Sequence, residues 1–342
     1  MIIKKLLLDK TFERSVPPIW LMRQAGRTLP EYKTLRSQTS SFWDMCFKPA
    51  FTVEATLQPI KRFDMDAAIL FSDILTVPKA LGQSIEFHTG KGPISDISFV
   101  EKPVVYDPYL FLKHVEPIGE SIREIRSKLS PEKALIGFAG GPLTVACYMV
   151  EGQKSKTHNP IRSFIYEDML KFDHLIKTLT QATIDYLSFQ IEAGVNVIQI
   201  FESWAGILPF DLTEKYVLSP VLEIATALKK KHSDTPIIIF PRGATLFYES
   251  YIQSGLFDGI SLDHQCNFPE LIDKYADKIC FQGGIDPAIL LAGPKAVNKY
   301  VPTILENFTN SRYIANLSHG LDPLISIEAI ESLIKLIRKG VL

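Results

Sequence analysis

Arg23 and Arg27, four residues apart in "WLMRQAGRTLPEY", follow directly on an apolar run, and Arg36 lies nine residues further on. A guanidinium is a permanently charged planar fork that meets a carboxylate with two parallel hydrogen bonds. Three on one connection suit a ligand that carries several carboxylates. Gly26 and Pro30 keep that connection from becoming one uninterrupted helix. The ordinary alternative is a solvated loop in which Arg27 pairs with Glu31 at i,i+4. Asp73 ends the apolar run "AAILFSD", which sets a carboxylate at a strand mouth beside low-dielectric walls, although the same pattern also describes a turn or cap. Polar residues and glycines close the other apolar runs: Gln24 beside Arg23, Gly140 with Gly141 and Pro142, Glu202 with Ser203, Arg242, Asp263 with His264, Gly283 with Gly284, and His319.

Elements must bring those ends together. Eight short apolar runs recur: Pro17 to Met22, Ala67 to Asp73, Ala134 to Gly140, Val195 to Glu202, Pro236 to Pro241, Phe257 to Asp263, Lys278 to Gly284 and Arg312 to Gly320. Segments of helical periodicity separate them, such as "DMLKFDHLIKTLTQATIDYLSFQIEAG" and "AVNKYVPTILENF". Apolar strands alternating with helices indicate a parallel sheet covered on both faces. Eight such units predict a single (β/α)8 TIM-type barrel over residues 1–342, an α/β fold with its site at the C-terminal ends of the strands. An open doubly wound sheet is the alternative. The polar stretch "EGQKSKTHNP" (Glu151 to Pro160) is expected to be a mobile flap.

With 342 residues, 46% hydrophobic, the chain is long enough for a large core. A formal net charge of -1 argues against a general nucleic-acid or anionic-membrane surface, so anion binding has to be local. The four cysteines, Cys46, Cys147, Cys266 and Cys280, form no C-x-x-C pair. A disulfide framework is therefore not expected, and a reducing cytoplasm is. The start "MIIKKLLLDK" lacks the length and cleavage site of a signal peptide, and no stretch is apolar for long enough to suggest a membrane span.

"PPIWLMRQAGRTLPEY" resembles the N-terminal signature of the uroporphyrinogen decarboxylase family, and "GFAGGPLTVACYMVEG" (Gly137 to Gly152) resembles its second signature. "LFSDIL", "FESWAG" and "NLSHGLDP" are similar to its strand-end segments, in order over nearly the whole chain. The resemblance implies a barrel, usually a homodimer, that removes the four acetate carboxyl groups of uroporphyrinogen III to give coproporphyrinogen III without metal or organic cofactor. It implies that Arg23, Arg27 and Arg36 face substrate carboxylates, with Gln24 and Ala25 beside them. Asp73 becomes the central acid under the pyrrole N–H groups, Tyr148 and Ser203 hydrogen-bond near the reacting acetate, and His319 serves a propionate or passes a proton. The first proton is expected from His319 or from a water held by Arg23, because a guanidinium is a poor acid. Backbone N–H groups at the helix start "GGPLT" suit a substrate carboxylate, and Gly283 with Gly284 is expected to admit the macrocycle. The chain departs from the family at Trp204, where several members carry histidine.

Three other readings compete. "HQC" (His264 to Cys266) with Cys280 is similar to the zinc motif of methyltransferases on a related barrel, but Cys280 falls in the body of its run, away from the strand ends. "QGG" before Ile285 suggests a phosphate cradle, without a matching set of catalytic lysines or acids. A tetrapyrrole-binding barrel without activity requires loss of Asp73, Arg23 or Arg27, and all are present.

Overall fold

The computed structural model describes residues 1–12, 15–88, 92–153 and 155–340. Seven of the eight apolar runs form strands: β1 (Ala67–Ile69), β4 (Ala134–Gly140), β5 (Val197–Glu202), β6 (Ile237–Pro241), β7 (Gly259–Leu262), β8 (Cys280–Gly283) and β9 (Tyr313–Ile314). They pair in the order β1-β4-β5-β6-β7-β8-β9, every pair parallel, as one curled sheet.

The first run differs from expectation. Between Pro17 and Met22 only a single parallel bridge forms, Ile19 to Ala315. Pro17 and Pro18 have no N–H to give to a ladder, so regular pairing cannot extend backwards. The segment still touches both edges of the sheet: Ala315 N–H donates to the Pro18 carbonyl (2.9 Å) and Asp66 N–H to the Ile19 carbonyl (2.9 Å). The sequence reading also missed an antiparallel pair, β2 (Ile85–His88) with β3 (Gly92–Ser95). These strands are short and mostly half-buried, and they lack the apolar run by which the others were recognised.

Side chains alternate across a strand, and that alternation sorts the apolar residues into two layers. Ile136 and Phe138, Val197, and Ile238 and Phe240 join Trp20 and Cys280 on the inner face. Leu135 and Ala139, Ile198 and Ile200, and Ile237 and Ile239 face the surrounding helices. Both faces are buried, so the strands read as continuous apolar runs rather than alternating ones. Inside the curl the Trp20 indole N–H donates to Gln282 (2.9 Å), whose amide donates to Gln199 (2.9 Å) and Ser261 (2.7 Å). Buried polar groups are tolerated there because they satisfy one another.

The covering helices fall where periodicity placed them. Met169–Ala193 starts on Asp168, whose carboxylate accepts from the Lys171 N–H (3.0 Å), and ends at Gly194 with φ 122. Pro142–Glu151 begins with proline at its first turn and ends at Gly152 in the left-handed region. No helix among the described residues is long and apolar enough to cross a membrane.

Candidate active site

A cleft of about 160 Å³ opens at the C-terminal ends of the strands. Arg23, Ala25, Asp73, Ser203 and His319 all line it. Its walls are Ile69, Phe71, Phe138, Phe201 and Phe240, with Phe138 edge-on to Phe201 at 5.6 Å between ring centroids. Sequence reasoning missed these aromatics, because a phenylalanine inside an apolar run looks the same whether it faces core or cleft. Only its place beside the polar strand ends could have marked it.

Arg23 has φ 61, a left-handed conformation that costs a non-glycine residue about 1 kcal/mol and persists only when its surroundings hold it. Its neighbours supply that hold. Met22 N–H donates to the Asn316 side chain (3.0 Å), and Leu321 N–H donates to the Met22 carbonyl (2.9 Å). The buried Gln24 amide accepts from Leu21 N–H (3.0 Å) and donates to the Ala67 carbonyl (3.0 Å). Gln24 thus lies behind the cleft and pins the turn that presents Arg23. Gly320 is needed on the other side, since any Cβ there would overlap the Arg23 side chain.

Arg27 and Arg36 flank Tyr32, whose ring packs on Phe71 of the cleft wall at 5.5 Å. Arg36 donates to the Thr39 carbonyl (3.1 Å) and hydroxyl (2.8 Å). The alternative of a surface pair between Arg27 and Glu31 does not form among the described residues. Arg62 takes the Glu31 carboxylate in a two-pronged pair at 2.6 and 2.9 Å. Among the described residues, neither Arg23 nor Arg27 has a carboxylate partner in a salt bridge.

Asp73 reaches the cleft just after β1. One carboxylate oxygen accepts from the Leu75 N–H (2.9 Å), and the side chain lines the cleft with Arg23 and His319. Burial pushes its carboxyl up to about 6, opposed by that N–H and by the nearby Arg23 charge. At neutral pH it is mostly an anion held among aromatic rings. Tyr148 lies within electrostatic reach of both Asp73 and Arg23; burial and the Asp73 charge raise its phenol, opposed by the Arg23 charge and the nearby Trp204 side chain.

Three expectations about neighbouring motifs are corrected. The "GGPLT" helix start is occupied by the chain itself, because the fully buried Glu202 accepts from Leu143 N–H (3.0 Å), Thr144 N–H (3.1 Å) and the Thr144 hydroxyl (2.7 Å). Gly141 is required for this, as a Cβ there would overlap the Glu202 carboxylate. Gly283 and Gly284 are buried against the Leu262 and Leu317 carbonyls and the Phe268 ring, so they serve close packing of the chain rather than approach of a ligand. The supposed flap is short and anchored, because Glu151 still belongs to one helix, Asn159 starts the next, and between them His158 is buried. Lys154, within that stretch, lies outside the described residues.

The cysteines are dispersed. Cys280 lies on the inner face of the sheet among Ile3, Leu6 and Ile314, and Cys266 lies near Tyr248. His264 contacts Ser318 (3.0 Å) and Asp263 (3.2 Å), and among the described residues no three His, Cys, Asp or Glu side chains converge on one point.

The family model described as "Uroporphyrinogen decarboxylase (URO-D)" matches residues 5–340. The chain belongs to the uroporphyrinogen decarboxylase family. A family member from Chelativorans sp. (strain BNC1), named uroporphyrinogen decarboxylase, is 43% identical over 340 residues, covering 98% of this chain and 99% of that protein. Another of the same name, from Rhodospirillum rubrum, is 40% identical over 325 residues, covering 95% and 93%. Among solved structures, a methyltransferase from Methanosarcina mazei superposes with TM-score 0.78 at 16% identity, covering 99% of this chain and 98% of that one. A putative vitamin-B12 independent methionine synthase from Listeria monocytogenes gives TM-score 0.54 at 14% identity, covering 95% and 94%. At such identities these two speak for the fold alone. This chain therefore shares its fold with those two solved structures.

Proposed function

We propose that this chain removes the four acetate carboxyl groups of uroporphyrinogen III, giving coproporphyrinogen III in tetrapyrrole biosynthesis, without metal or organic cofactor. The observation that carries the reading is Asp73: a carboxylate in an aromatic cleft, accepting from the Leu75 N–H, with Arg23 beside it. In a porphyrinogen the bridging carbons are tetrahedral, so the ring can dome and aim its four pyrrole N–H donors at one acceptor. Protonation of a pyrrole carbon makes an iminium-like sink. The acetate C–C bond then breaks, CO2 leaves, and its electron pair neutralises the ring, leaving an exocyclic methylene. One proton converts that methylene to methyl, and the proton on the ring carbon is released. Asp73 stabilises the cation as a fixed dipole stabilises an oxyanion, with the sign inverted.

Arg23, Arg27 and Arg36 meet the carboxylates, each such bond contributing roughly 1.5 to 3 kcal/mol where partly buried. Ala25 leaves room beside them, and Gln24 fixes the turn. Tyr148 and Ser203 hold the reacting acetate, and His319 or a water held by Arg23 delivers the first proton. The cleft of about 160 Å³ is smaller than a typical ligand site. It takes one edge of the macrocycle, while Arg27 and Arg36 meet carboxylates that remain outside. We read the chain as one domain whose sheet is closed into a barrel by the Pro17–Met22 segment, on the support of its bridge to Ala315 and its bond to Asp66. A cytoplasmic homodimer is the expected working form.

The test is an anaerobic assay with uroporphyrinogen after exhaustive chelation and dialysis, with products separated by carboxyl count. Loss of four carboxyl groups at undiminished rate is expected, and the oxidised, planar uroporphyrin is expected to inhibit without reacting. Activity that disappears on chelation and returns with zinc contradicts the reading.

A further inference from the structure

Arg242 follows directly on β6, and the decarboxylation derived above gives it no role. β6 is the middle strand of the seven, whereas Arg23 follows the segment that touches both edges of the sheet. In a sheet curled on itself the end of the middle strand faces that segment across the mouth, so Arg242 stands opposite the connection that carries Arg23, Arg27 and Arg36. The turn that presents it is pinned at several points. Ala244 N–H donates to the Pro241 carbonyl (3.1 Å), Arg242 N–H to the Glu202 carbonyl (3.1 Å) and Gly243 N–H to the buried Asp263 carboxylate (3.1 Å). Gly243 supplies the positive φ, 77, that such a turn takes at its third residue. Gly206 packs so closely on it that any Cβ at Gly206 would overlap the Gly243 carbonyl.

The side chain on this turn is half-buried. Its guanidinium carbon lies 6.0 Å from the centroid of the Trp204 indole, and Trp204 follows Ser203 of the cleft. A ring face attracts a guanidinium without consuming its N–H donors. The two acids that touch the turn are engaged elsewhere, Glu202 by the helix Pro142–Glu151, and Asp263 by Gly243 N–H and by His264 at 3.2 Å. Among the described residues the Arg242 guanidinium takes part in no salt bridge or hydrogen bond. A fixed turn thus presents an unpaired fork at the rim, as the turn at Arg23 does. We propose that Arg242 is a further substrate-binding residue, meeting a carboxylate of the macrocycle that stays outside the cleft, on the side away from Arg27 and Arg36. This rests on the reading that the substrate is a porphyrinogen with carboxylates all round its rim, which three arginines on one connection reach from one side only.

The test compares kcat and KM for uroporphyrinogen in the wild type, Arg242→Gln and Arg242→Lys, with a melting curve for each. Glutamine keeps a polar side chain and removes the charge. Arg242→Gln is expected to raise KM about 10-fold, the scale of one charge-assisted hydrogen bond. Its kcat should change less than about twofold, because a contact remote from the breaking bond serves ground and transition states alike. Arg242→Lys should raise KM about 2- to 3-fold, since it restores the charge without the fork. The same comparison with the pentacarboxylate porphyrinogen, whose single acetate occupies the cleft, tells which carboxylate is met. A KM effect that persists there assigns a propionate and one that vanishes assigns an acetate, and either supports the proposal. A KM within about twofold of the wild type in a folded Arg242→Gln enzyme overturns it, as does a loss confined to kcat. Should Arg242→Gln fold poorly, Arg242→Lys carries the test, and an unchanged KM overturns the proposal. A wild-type chain that leaves uroporphyrinogen untouched refutes the proposed function and this assignment with it, whereas an active wild type that is indifferent to position 242 refutes the assignment alone.

Discussion

Two acids stand at strand ends facing one rim, Asp73 after β1 and Glu202 at the end of β5, and burial raises both. The carboxyl of Asp73 is pushed up to about 6 and that of Glu202 to about 7. Their surroundings differ in a way that those values do not convey. Glu202 is fully buried and accepts three hydrogen bonds from the first turn of the helix Pro142–Glu151, so its acceptor capacity is engaged inside the protein. Asp73 accepts from the Leu75 N–H and lines the cleft. A perturbed carboxyl marks a reactive group only where acceptor capacity is left for a ligand. Glu202 holds a helix in place, whereas in the proposed function Asp73 meets positive charge brought by the substrate.

The largest effect that separates the two is on turnover. Asp73→Asn is expected to fold normally and lose about 10²-fold or more in rate, the scale of deleting one preorganised electrostatic group, as read by product separation under anaerobic conditions. Next comes Arg23→Ala, expected to lower kcat/KM by roughly 10- to 10²-fold, because a substrate carboxylate in a partly dry cleft is left without its charged partner. Lys33→Ala, an exposed charge on the same connection, should change kcat/KM less than about twofold. Equal small effects at both positions would make the connection a solvated loop.

Glu202→Ala reaches stability instead. It leaves two backbone N–H groups and the Thr144 hydroxyl proton without their carboxylate acceptor in a buried place, which should cost about 1 to 3 kcal/mol in denaturant unfolding. Activity per folded molecule should fall less than in Asp73→Asn. The smallest effect lies in the pH dependence of melting. Both carboxyls have folded values above the ordinary 3.8 and 4.5, so between those values and about 6 and about 7 the folded chain binds more protons than the unfolded one. Their ionisation therefore destabilises the fold at higher pH, and that penalty is relieved as pH falls through 7 and then 6. Melting of Asp73→Asn should exceed that of the wild type by a few degrees at pH 8, and the gap should narrow towards pH 5.

Much of this was legible in the chain. Arg23, Asp73, Ser203 and His319 each close an apolar run, and the fold brings them to one cleft because parallel strands present their ends together. The distinction between Asp73 and Glu202 was not legible. What engages Glu202 is Thr144, 58 residues earlier, and only the packing of β5 against the helix after β4 brings them together. The same holds for the cleft aromatics and for His158, whose partners Glu151 and Trp204 are set by the tertiary fold. Pairing at Pro17 and Pro18 was overestimated for a local reason, since hydropathy does not register a missing N–H.

The most direct test of the central claim is a paired one: turnover of uroporphyrinogen and the melting midpoint, measured on the same preparations of Asp73→Asn and Glu202→Gln at pH 8. Glutamine can keep an acceptor towards the Leu143 and Thr144 N–H groups, so Glu202→Gln should retain turnover within about tenfold. Asp73→Asn should lose about 10²-fold or more while melting higher than the wild type. Near-normal turnover in a well-folded Asp73→Asn protein would contradict the assignment of Asp73 as the acid on which the chemistry rests.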